Sequence, residues 1–170
     1  MLKRQTINCY FALGAIHLLI TIGFALVFGV SHPFFSHYKI NQVIGVVIAS
    51  IATAIPLYAI AGFLFVIGKE NKKNLLRAAV YAGFIFTATL ILLWSISYLL
   101  STNGFPQSTW LIYILSNYPS AVFMNRIINL PDLRSPLMIL TATSPGVGFV
   151  FGVFIRIINE TSQKGGKIHG

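Results

Sequence analysis

Four apolar runs, Cys9–Val30, Val43–Ile67, Ala78–Leu100 and Leu137–Ile158, decide what this chain can fold into, because none of them contains an Asp or a Glu. Each is 22 to 25 residues long. At ~1.5 Å per helical residue, that length matches a hydrocarbon layer about 30 Å thick. Such a layer offers backbone groups no water, so each run must bond itself as a helix. A soluble domain carries about 25% charged residues, whereas this chain is 9% charged and 56% hydrophobic. The expected fold is an all-α integral membrane protein in a single membrane domain, residues 1–170. It is a four-helix transmembrane bundle with a short interfacial helix on the outer side.

Charge gives the expected orientation. The stretch Gly68–Arg77 gathers Lys69, Lys72, Lys73 and Arg77 against the single acid Glu70, and basic segments stay on the cytoplasmic side. With both termini inside, nine basic residues face the cytosol: Lys3, Arg4, Lys69, Lys72, Lys73, Arg77, Arg156, Lys164 and Lys167. Three lie outside, Lys39, Arg126 and Arg134. A fifth crossing through Trp110–Ile128 would make the count eight against four, a narrow difference. The polar break at Ser116, Asn117, Pro119 and Ser120 weighs more, since Asn and Pro at mid-depth make insertion costly. The net charge of +9 then belongs beside an anionic inner leaflet, where each Lys or Arg contributes about 1 kcal/mol. No basic stripe interleaved with aromatics supports nucleic-acid binding. The first run is too long for a signal peptide and lacks a small-residue cleavage site, so it reads as an uncleaved helix. An inner, plasma membrane of a bacterium is the expected location.

Around Pro119 the pattern changes. Over 119–129, Ala121, Phe123, Met124, Ile127 and Ile128 share one face and Asn125, Arg126 and Asn129 the other, which predicts a helix lying in the interface. Residues 159–170 are basic and glycine-rich and read as a disordered tail. Trp94 and Tyr98 close the third span, where amphipathic rings favour the headgroups. Short connections predict that spans one and two pair, as do three and four.

Two faces carry small residues at four-residue spacing: Gly45, Ala49 and Thr53 on the second run, and Ser144, Gly148 and Gly152 on the fourth. Such faces let helices approach closely, either within one chain or between chains. Pro56 and Pro145 each remove a helix donor and free a carbonyl. They are the two positions at which kinked helices could frame a solute site.

Chemistry-bearing residues are few. His17 is the one ionisable side chain deep in a run, and intramembrane ionisable groups mark functional positions. Haem ligation or proton relay would need a second histidine or an acid at similar depth, and the chain has neither. The plainer reading is a neutral ring bonded to a hydroxyl such as Thr21, Thr87 or Thr141. His32 and His37, with Asp132 as a third ligand, form a weak outer-face metal candidate, because their spacing matches no ligand signature. Cys9 stands alone, so no disulfide or CxxC pair forms within the chain. Proton- or sodium-coupled transport and acid–base hydrolysis lose their usual carboxylates. No catalytic residues, cofactor or metal are assigned, and an enzyme is not expected. The functional expectation is a protein that binds another membrane component, a partner or a second copy, as an accessory subunit or immunity-type protein does. The alternative is a small solute carrier or channel using Pro56 and Pro145.

Overall fold

The computed structural model describes residues 2–28, 43–65, 72–104, 107–121 and 136–165, and among these the chain is helical throughout, with no strand. The elements are α1 (Leu2–Phe28), α2 (Val43–Leu64), α3 (Lys72–Thr102), α4 (Leu111–Ser116), α5 (Tyr118–Ala121) and α6 (Ser144–Gly165). A 3-10 turn, Gln107–Trp110, leads into α4, and a longer 3-10 stretch, Pro136–Thr143, leads into α6. Four helices are long and apolar enough to cross a membrane, the last formed by the 3-10 stretch and α6 together. The first, third and last begin or end beyond their apolar runs because polar residues continue the backbone ladder. Lys72 opens α3, and α6 persists to Gly165. Residues 159–165, expected to open a disordered tail, are therefore helical. Helix α3 ends where Asn103 bonds back to the Leu99 carbonyl and Gly104 takes φ +83°, a left-handed conformation that suits glycine.

Packing follows the expected pairing of spans three and four but not that of spans one and two. The most extensive contact joins α2 to α6, followed by α1 to α3 and α3 to α6, while α1 and α2 barely meet. Glycine explains the first of these. A Cβ on Gly152 would run into the Ala59 carbonyl, one on Gly62 into the Phe149 carbonyl, and one on Gly148 would sit 2.7 Å from the Ile55 carbonyl oxygen. The two backbones are therefore in near contact, which small residues alone permit. The second row, Gly146 on α6, meets α3, where its Cβ would lie 2.6 Å from the Gly83 carbonyl oxygen.

Register gives direction. Gly148 lies against Ile55 and Tyr58, Gly152 against Ala59 and Phe63, and Arg156 donates to the Phe63 carbonyl at 2.8 Å. Numbers rise together, so α2 and α6 run parallel. Against α3 the order reverses, since Gly146 meets Thr87 and Val150 meets Gly83; these two are antiparallel. The end of α3 and the start of α6 hence lie at the same end of the structure, and the chain between them returns to where it left. That is the geometry of four long helices and not five.

The described part of the connection, 107–121, buries one face and leaves Ile112 and Leu115 exposed on the other. Trp110, Tyr113 and Asn117 are buried to within 2% of full burial, and so is Pro119, the first residue of the predicted interfacial helix that the structure covers. Trp110 meets Trp94 edge-on, with ring centroids 6.1 Å apart. Trp94 is thus packed inside, 6% exposed, and not turned to headgroups. Six residues on, Ser116 bonds His17, whose ring meets Phe86 at 5.0 Å. Phe86 precedes Trp94 by eight residues, ~12 Å along the helix. Segment 107–121 therefore descends from the α3 end to about mid-depth. The remainder of the predicted interfacial helix, 122–129, lies outside the described residues.

The glycine contacts generate a contrast. Gly152→Leu should destabilise the purified chain by about 2–3 kcal/mol through overpacking. Gly23→Ala, with nothing within 4 Å of its Cβ position, should be neutral or slightly stabilising. Unfolding by denaturant in mixed micelles checks both.

Candidate functional site: a polar junction at a helix break

Asn117 separates α4 from α5. Its backbone (φ −134°, ψ 40°) leaves the helical region, while its N–H still bonds the Tyr113 carbonyl at 2.9 Å. Pro119 has no N–H, so the Leu115 carbonyl four residues back loses its helical donor. The next carbonyl, that of Ser116, accepts from His17 Nε2 at 2.6 Å. A carbonyl only accepts, so Nε2 carries the proton and Nδ1 of the neutral ring is left to accept. The Tyr58 hydroxyl donates to it at 2.6 Å. Both nitrogens are engaged without a charge, and the ring also stacks on Tyr58 at 5.8 Å. A metal at His17 would have to displace one of these partners.

The partner is thus a tyrosine and a backbone carbonyl, not one of the three expected threonines. The Thr21 hydroxyl is buried without a partner, Thr87 faces Gly146, and Thr141 belongs to a second set of bonds. There, the Thr141 hydroxyl donates to the Met138 carbonyl at 2.7 Å. It must accept from Tyr113, whose hydroxyl lies at 2.7 Å. Tyr113 in turn accepts from Asn117 Nδ2 at 2.8 Å. The same amide nitrogen donates to the Thr141 carbonyl at 3.2 Å. Thr141 lies in the 3-10 stretch, where a carbonyl pairs three residues on, and Pro145 has no N–H to offer it a bond four residues on. Asn117 therefore adds a second donor to this carbonyl at the point where 3-10 passes into α-helix, and the two irregular points are tied together.

The expected positions separate on this map. Pro145, Ser144, Gly148 and Gly152 are buried at the α2 and α3 contacts or beside the junction. Pro56 is exposed on the outer side of α2, and Gly45, Ala49 and Thr53 are half-buried at its margin. The two prolines do not frame one interior site; the counterpart of Pro145 is Asn117. His32, His37 and Asp132 lie outside the described residues, and among the described residues no three His, Cys, Asp or Glu side chains come together. Sequence reasoning missed Tyr58, Tyr113 and the role of Asn117. Their available signal was a polar residue or tyrosine hydroxyl inside an apolar run, which must find a partner once buried.

The fold and junction define an all-helical chain with four helices of membrane-crossing length and a broken helical segment packed among them. Comparison with known protein families, with characterised proteins and with solved structures finds no match.

The junction predicts graded losses. Tyr58→Phe removes one interhelical bond and should cost about 1 kcal/mol, the scale found for such bonds in membranes. His17→Phe strands both the Ser116 carbonyl and the Tyr58 hydroxyl, and should cost about 2–4 kcal/mol. If the two residues act through each other, the double variant should cost no more than His17→Phe alone in the same unfolding assay.

Proposed function

We propose that this is a multi-pass protein of a bacterial plasma membrane that acts by binding another membrane component through the exposed side of α1. The supporting observation is an imbalance of burial. Of the apolar window in α1, 11% of residues are buried, against 56% in the last helix. Phe11, Leu18, Leu19, Ile22, Leu26 and Val27 are all exposed. Helix α1 packs mainly along α3, so it stands at the margin of the proposed four-helix transmembrane bundle. The interior supports the same reading, since its glycines admit no side chain and His17 has no free nitrogen. What remains available for recognition is the outer surface.

Lipid tails can cover an apolar face, so the reading needs a test that separates lipid from protein. A photoreactive residue at Leu19 or Leu26, illuminated in native membranes, should give protein adducts. The buried position Leu13 should give none. Lipid adducts alone at Leu19 and Leu26 would overturn the reading.

Orientation belongs to the same proposal. Lys72, Lys73 and Arg77 fall in the first turns of α3, and Arg156 and Lys164 fall towards the end of α6. The antiparallel register puts these at one end, which the positive-inside rule assigns to the cytosol. With Cys9 replaced, an impermeant thiol reagent added to intact cells should label Asn103→Cys and spare Arg77→Cys. The reverse pattern would invert the topology.

A further inference from the structure

Three fully buried polar groups around the break have no partner among the described residues: Asn117 Oδ1, the Ser144 hydroxyl and the Ser50 hydroxyl. For Asn117 the orientation is fixed by counting hydrogens. Its amide nitrogen serves the Tyr113 hydroxyl and the Thr141 carbonyl. Turning the amide over would set its oxygen against a carbonyl, and would leave Tyr113, whose proton is committed to Thr141, facing a second acceptor. Oδ1 is therefore the atom left over, and it points away from both.

The hydroxyls come from the elements packed on that side. Ser144 opens α6 three residues after Thr141, on the same face of the turn. Ser50 shares the α2 face of Ala54 and Tyr58, at four-residue spacing. Helix α2 packs on both α5 and the 3-10 stretch 136–143. The parallel register sets Gly148 beside Ile55 and Tyr58. One turn back, Ser144 comes beside Ile51 and Ala54, a single turn from Ser50.

We propose that these three groups form a binding site for a small neutral hydrogen-bonding molecule, and that its occupant is water. The ligand donates to Asn117 Oδ1 and exchanges bonds with the Ser50 and Ser144 hydroxyls. Two to four polar partners are what a buried water requires, and a low-dielectric interior makes leaving such groups unpaired costly. Among the described residues no Asp, Glu, Lys or Arg bonds Asn117, Ser50 or Ser144, so the site offers a charged ligand no counter-charge. His17 is engaged at both nitrogens. The broken segment thus carries a hydrated point at mid-depth. The site is independent of the α1 face, and either proposal can fail without the other.

The test uses the full chain in lipid vesicles. Pulsed X-ray radiolysis generates hydroxyl radicals from bound water in place and oxidises the side chains beside it. Tyr113, whose hydroxyl touches the Asn117 amide, should be oxidised at least five times more than Phe149, which is equally buried but lies on the glycine contact. Equal protection of the two would overturn the site. A second measurement places a thiol there in a Cys9→Ala chain. Ser144→Cys should react with neutral methyl methanethiosulfonate at least tenfold faster than Ala79→Cys, which is fully buried on α3. Adding Ser50→Ala should slow that reaction severalfold. If Ser144→Cys is as inert as Ala79→Cys while elution and helix content are unchanged, the site is dry and the proposal fails.

Discussion

A backbone carbonyl that loses its helical partner inside an apolar interior must be given another donor. Much of this structure answers that demand at two places. Asn117 and Pro119 interrupt one helix, and Pro145 interrupts the start of another. His17 donates to the Ser116 carbonyl, and Asn117 donates to the Thr141 carbonyl. Each donor is held by further groups, Tyr58 in the first case and Tyr113 in the second. Strand the carbonyls and the segment 107–121 has no reason to remain at depth.

The glycine contacts perform a different task. They set α6 directly on the α2 backbone, with no side chain between. Gly148 and Gly152 fix separation and register against Ile55 to Phe63. Arg156 closes the far end by donating to the Phe63 carbonyl in the last turn of α2. Its pairing with Glu160 at 2.8 Å is half exposed and adds little by itself.

The four long helices were legible because length and apolarity are local properties. The polar break was legible for the same reason, since Asn117 and Pro119 disrupt any continuous span. Where the broken piece goes was not. The apolar periodicity over 119–129 describes a helix with two faces, but it does not place Pro119, which the structure buries. Spans three and four pair as expected, while the pairing of one with two was misjudged for a related reason. Short connections favour neighbours in sequence, yet the closest contact goes to whichever two backbones have no side chains between them, here α2 and α6. The site was half legible. His17 stands out in an apolar run, while Tyr58 and Tyr113 look like ordinary core aromatics until their hydroxyls are given partners. The small-residue faces could be found by spacing, but only the structure separates Gly148 and Gly152, pressed on a backbone, from Gly45 and Ala49 at a margin.

The order in which the chain is made gives the Asn117–Thr141 bond a further meaning. During synthesis the broken segment emerges before residues 136–143, so for that interval its amide has no carbonyl to hold and its depth is unsupported from one side. Helices α1 and α2 are already present and supply His17 and Tyr58, which makes the first tie available early and the second only at the end. Completion of the last helix is thus the event that locks the interior, and a chain halted short of it would carry a half-anchored segment.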